Sequence, residues 1–70
     1  MEWINIEVKK LPDPQKYIYG FSLPAISHLY GYGFIVRGFI EEWIFTNDHK
    51  NFYNTSSVIY WMPLPSPPKE

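Results

Sequence analysis

His28 and His49 are the only imidazoles in this 70-residue chain, and Asp48 stands directly before the second of them. A histidine oriented by a carboxylate is the commonest general base, so Asp48-His49 is the first place to look for chemistry. Adjacent residues on a strand face opposite sides, and in a polar loop both face water, so the pair reads first as solvated surface. Glu41-Glu42 is the one adjacent acid pair. Glycoside hydrolysis needs two carboxylates facing each other across roughly 5–9 Å, and sequential residues do not supply that without a partner such as Glu7 or Asp48. The chain has no cysteine. That excludes thiol nucleophiles, disulfides and thiolate metal ligands, and two distant histidines do not make a metal site. The serines sit in no strand-turn-helix elbow. Gly31-Tyr32-Gly33 lacks the third glycine and the following helix of a dinucleotide fingerprint. The residues thus name no catalytic group, no metal ligand and no cofactor, and the reading leans away from an enzyme. A compact hydrolase or a nucleotide-binding protein built on His28 or His49 is the minor alternative.

The abundant functional material is aromatic instead. Three Trp, six Tyr and five Phe make up 20% of the residues. Each such ring buries about 150–250 Å², while a chain this short hides only about 60% of its extended surface. Rings fill a thin core and the surplus is left outside, which is the mark of an interaction surface. A protein partner or a homo-oligomer is therefore expected. The candidate binding set is Trp3, Tyr32, Arg37, Trp43 and the run Trp61, Met62, Pro63, Leu64 and Pro65. For the tryptophans a core role, with Trp3 and Trp61 stacked across paired terminal strands, competes with a hot-spot role.

Formal net charge is -1. Single-strand nucleic-acid binders join stacking rings to a positive groove. Tyr17, Tyr19, Tyr30, Tyr32 and Phe34 supply rings, but Lys9, Lys10, Lys16, Arg37 and Lys50 are offset by acids, so nucleic acid is not the expected partner. The uncharged stretch 17–36 is interrupted by Gly20, Pro24, Gly31 and Gly33, which argues against a membrane span. Met1-Glu2-Trp3 carries an acid where a signal peptide carries a base. A cytoplasmic location is the default expectation.

Short strands must position these side chains. Ile4, Ile6 and Val8 alternate with polar residues and predict a half-buried strand, ended by Pro12 and Pro14. Residues 17–23 predict a second, stopped at Pro24. Residues 24–30 read as a short helical turn or an irregular loop. The β-branched and aromatic content of residues 34–45 favours two strands bent at Gly38. A single helix there is the competitor, from the spacing of Ile40, Trp43 and Ile44. Residues 46–51 form a polar loop, Phe52 and Tyr53 a brief strand or a cover for the sheet, and residues 57–61 the last strand. Four of the seven prolines then fall at positions 63–68, where fixed φ angles predict an extended, polyproline-like arm. The fold expected is one mainly β domain over residues 1–70. It is a small antiparallel sheet or a half-open SH3-like barrel of four to five strands, with residues 62–70 as an extended arm that is either docked on the sheet, which the thin core favours, or a free ligand for another protein.

Trp3-Ile4-Asn5-Ile6 with Leu11-Pro12 at one end, and Trp61-Met62-Pro63-Leu64-Pro65 with Pro67-Pro68 at the other, resemble the DUF551 family of short phage and bacterial proteins of unknown function. The matched ends cover about a third of the chain, and the closing motif is the more specific. Lys10 stands where the family usually has Arg, and Tyr60 where it usually has His. The resemblance implies a small fold and a bacterial or phage-infected cell as the setting. It carries over no activity.

Overall fold

The computed structural model describes residues 2–63. Five short strands form one antiparallel sheet: β1 (Ile4–Asn5), β2 (Ser22–Ser27), β3 (Gly31–Arg37), β4 (Trp43–Thr46) and β5 (Val58–Trp61). Their spatial order is β1-β5-β2-β3-β4. β2, β3 and β4 follow one another as hairpins, and β5 returns to lie beside β2, which is a Greek-key arrangement. The mainly β expectation holds in its open-sheet form. Pro14–Lys16 and Thr55–Ser57 are 3-10 turns, capped by the side chains of Asp13 and Asn54. Residues 64–70 of the expected arm, Leu64 and Pro65 among them, lie outside the described residues.

Several sequence expectations give way to local hydrogen bonding. β1 stops at Asn5 rather than reaching Val8. The Asn5 side chain accepts from the Glu7 amide at 2.8 Å and its carbonyl accepts from Val8 and Lys9, so the chain turns and Val8 is 84% exposed. Residues 17–20 are likewise a turn, with Gly20 at φ 87. β2 begins only at Ser22 and runs through Pro24, where a stop was expected, so residues 24–27 are strand and not a helical turn. Proline is tolerated there because of where the ladder ends. The Pro24 carbonyl accepts from the Met62 amide at 3.0 Å. Carbonyl and amide of one strand residue point the same way, so the missing N–H faces β5 just past its last ladder pair, Ala25 opposite Trp61.

The helix alternative over residues 34–45 fails. β3 and β4 pair in register, Ile35 with Phe45 and Arg37 with Trp43. Between them the Gly38 amide donates to the Glu42 carbonyl at 2.7 Å, and Glu41 takes the left-handed conformation that closes the hairpin. Ring and β-branched content outweighed the i, i+3, i+4 coincidence.

Period-2 alternation sorts the strands into two faces. Leu23, Ala25, Ile35, Trp43, Phe45, Val58 and Trp61 form the buried core. Among the described residues no α-helix and no second sheet covers that face. Its lid is the connector between β1 and β2, which packs Leu11, Tyr17 and Phe21 onto it. Three donors from the sheet hold the connector by its carbonyls: Trp43 Nε1 to Pro12 at 2.7 Å, Trp61 Nε1 to Lys9 at 3.0 Å, and Arg37 Nε to Pro14 at 3.1 Å. Proline brings no amide to satisfy, and indole is a donor only, so the two needs cancel. Ser27 and Ser57 share a buried hydroxyl contact of 2.7 Å where the chain enters β5. No buried side-chain nitrogen or oxygen among the described residues lacks a partner.

Two substitutions test this frame. A methyl at Gly33 would run into the Thr46 carbonyl and stand 2.8 Å from Phe45 Cζ. Gly33→Ala is therefore expected to cost about 1–3 kcal/mol through overpacking. Trp43→Phe keeps a ring but strands the Pro12 carbonyl, for about 1–3 kcal/mol. Urea unfolding reads both, and wild-type midpoints would show that neither approach is tight.

Candidate functional site

The residues that read as potential chemistry do not come together as a reaction centre. His28 lies exposed in the β2–β3 turn. His49 sits at φ 61 in the loop after β4, its ring 5.6 Å from that of Phe34. Neither imidazole bonds to a carboxylate among the described residues, and no group of three His, Cys, Asp or Glu there is arranged to hold a metal. Asp48 organises the loop instead. Its carboxylate accepts from the amides of Lys50 and Asn51, both at 2.8 Å, and from Asn51 Nδ2 at 3.0 Å. Glu41 reaches Arg37 at 3.8 Å across the hairpin end.

The structure divides the sequence-derived binding set. Trp43 and Trp61 are core residues. Arg37 is turned inward, its guanidinium on the Pro14 and Gly38 carbonyls, and so is not part of an open basic groove. Met62 and Pro63 are half-buried beside the end of β2. Trp3 and Tyr32 do meet, edge to face, with ring centroids 6.0 Å apart. The expected stacking of Trp3 on Trp61 is not formed, because β1 pairs Ile4, and not Trp3, with Trp61. That register turns Trp3 to the opposite face.

That opposite face is the candidate site. Tyr32 and Phe34, two residues apart on β3, hold their rings 5.9 Å apart. Cross-strand pairs extend the apolar surface, Ile26 beside Tyr32 and Val36 beside Ile44. At one end the surface dips into a cleft of about 320 Å³, between Val36, Ile44, Tyr19, Phe39 and Phe52. Tyr19 and Phe39 meet edge to face at 6.2 Å. Phe39 and Tyr19, which line the cleft, are 85% and 69% exposed, and their chain neighbours Ile40 and Ile18 are 71% and 77% exposed, an unusually apolar group for a surface. These side chains stand on two turns, residues 17–20 and the β3–β4 hairpin tip. Both turns are fixed by backbone bonds, Gly20 to Arg37 at 2.8 Å and Glu41 to Gly38 at 3.2 Å.

The sequence names Tyr32 and Trp3 as binding candidates and Tyr19 only as a stacking ring for nucleic acid, and it does not point to Phe39, Ile40 or Ile18. One signal was available. Gly38 before Phe39-Ile40, with Glu41-Glu42 after, marks a turn whose tip carries two large apolar residues, and a tip cannot bury them.

Set against family models, curated proteins and solved structures, the chain matches none of them. The site is read from its own geometry. No helix among the described residues is long and apolar enough to cross a membrane.

The loop beside this face has a pH signature. The amides of Asn51 and Lys50, in that order, hold the Asp48 carboxyl at about 2, below its ordinary 3.8. The folded loop prefers the charged form, so its contribution is complete above pH 3.8 and is lost as pH falls through about 2. An NMR titration of the Asp48 side-chain carbonyl should show that low midpoint, with the Lys50 and Asn51 amides losing protection together. A midpoint near 3.8 would mean the amides do not hold the carboxylate.

Proposed function

We propose that this chain is a small non-enzymatic binding protein that engages another protein through the outer face of its sheet. The observation that carries the reading is the apolar rim at the hairpin tip. Large side chains at 69–85% exposure, grouped around a cleft, have no structural use in the isolated chain. Single exposed apolar residues are ordinary; a contiguous group of this kind marks an interaction surface. Phe39, Tyr19 and Tyr32 supply the flat anchors that hot spots favour. Turns held by backbone bonds keep such anchors in place before binding, which lowers the ordering cost. Glu41 and Glu42 border the tip, so a partner with basic groups around an apolar centre fits best. The resemblance of the terminal motifs supports a phage accessory role in a bacterial cell.

A nucleic-acid role has less behind it, since Arg37 is spent on backbone carbonyls. The histidines likewise lend no support to a hydrolase.

Phe39→Ser tests the proposal. The side chain touches little, so the thermal midpoint should move by no more than ~0.5 kcal/mol equivalent. A photo-crosslinking residue at position 39, placed in cells where the protein is native, should give a discrete protein adduct. The same residue at exposed Gln15 should give none. Equal labelling from both positions, or unfolding by Phe39→Ser, would remove the outer face as the binding surface.

A further inference from the structure

The two ends of the outer face differ, and each supplies what the other lacks. Tyr32 stands where β3 begins, 59% exposed although Trp3 and Phe34 flank its ring. At the far end of β3 lies the cleft of about 320 Å³, lined by Val36, Ile44, Tyr19, Phe39 and Phe52. That volume is ample for one aromatic ring. Tyr32 and Val36 are four residues apart on the strand, about 13 Å, so Tyr32 does not reach the cleft of its own molecule.

Charge is divided in the same way. Glu41 and Glu42 stand exposed at the cleft end. His49 and Lys50 stand exposed at the Tyr32 end, in the loop that Asn47 Nδ2 ties to the Tyr30 carbonyl at 3.1 Å. Asp48 in that loop is taken up by the loop's own amides. Between the two ends, no outward strand position among the described residues is charged.

We propose, resting on the outer face as the binding surface, that its partner is a second copy of this chain. The two sheets pack face to face about a two-fold axis that lies between them and runs across the strands. In such a contact one patch serves both subunits, so residue i meets j and j meets i. An axis near Phe34 lays each β3 antiparallel over the other. Tyr32 of each copy then enters the cleft of the other, and His49 and Lys50 come over Glu41 and Glu42. Sheets packed this way stand about 10 Å apart as a sandwich.

The area agrees with this pairing. At about 150–250 Å² per ring, the exposed fractions of Phe39, Tyr19, Tyr32 and Phe52 come to about 500 Å². Half-buried Trp3, Ile26, Phe34, Val36 and Ile44 bring the patch towards the ~800 Å² per partner of a standard interface.

The full chain of 8.4 kDa should sediment at twice that mass at about 100 μM, above the micromolar upper end for interfaces of this size. In a mixture of isotope-enriched and unlabelled chains, filtered NOEs should join the Tyr32 ring of one copy to the Val36 and Ile44 methyls of the other. Glu42→Lys or Lys50→Glu alone should raise the dissociation constant several-fold. Both in one chain should restore it, with amide spectra showing every variant folded. A single-chain mass would overturn the pairing. If a cross-link from position 39 to a different protein still formed, the outer face would stand as the binding surface without it. A double mass with intermolecular NOEs on the connector side would remove the pairing and the outer-face reading together. A double variant as weak as the single ones would also overturn the end-over-end arrangement.

Discussion

The bond from the Trp43 indole to the Pro12 carbonyl marks the constraint on which this structure depends: one small sheet, with no α-helix among the described residues, still has to cover its core face. Sheets usually meet that need with a second layer of regular structure. Here the layer is an irregular, proline-containing connector, and irregular backbone is costly to bury because its polar groups need partners. Prolines halve the difficulty by removing donors. Trp43, Trp61 and Arg37 resolve the rest by donating to the Pro12, Lys9 and Pro14 carbonyls. Each contact serves both sides, since a buried indole N–H is as costly unpaired as a buried carbonyl. The connector, Trp43, Trp61 and the half-buried Arg37 are therefore tied together by these three bonds.

How much of this was legible in the sequence depends on whether a segment's neighbours or its own side chains decide its shape. β3, β4 and β5 were readable because rings and β-branched residues fill them and glycine and polar residues bound them. The candidate surface was half legible: Trp3 and Tyr32 stood out as surplus rings, and they meet. The first strand was misjudged because Asn5 offers its side chain to the Glu7 amide, a local bond that outcompetes two more ladder steps. Pro24 was read as a stop because sequence does not reveal which way a residue's missing N–H points. The pairing of Trp3 with Tyr32 instead of Trp61 came from register, a one-residue matter that sends a side chain to the other face. Alternation alone does not choose the register. The partners do.

Aromatic excess decides the rest. The chain holds fourteen aromatic residues (three Trp, six Tyr, five Phe), and of these only Trp43, Phe45 and Trp61 are buried. A core with room for three large rings did not require the other eleven. Some of those, such as Tyr17 and Phe21, stacked 4.7 Å apart against the core, extend it under the connector. Tyr30 and Tyr53, stacked at 3.9 Å, close its end beside Phe45. Phe39 and Tyr19 belong to neither group. They touch chiefly each other, on turns whose backbone bonds would form equally well around polar side chains.

That contrast separates stability from recognition. Rings that stabilise this fold reach the core or a core neighbour, and replacing them opens a cavity. Phe39 at the hairpin tip meets Tyr19 and solvent but not the core, and exposing such rings makes the isolated chain prone to self-association while adding little to its folding free energy. Blunt edges limit the other route to non-specific association. β1 is only two residues long, and the outer edge of β4 is occupied where Phe45 and Tyr53 exchange both backbone bonds at 2.8 Å. With these edges short or occupied, apolar contact falls to the faces of the sheet, and the shape of the outer one is set by the two turns that frame the cleft. Much of the apolar surplus, Phe39, Ile40, Ile18 and Tyr19, thus stands on turns closed by backbone hydrogen bonds, which is the arrangement a specific contact favours.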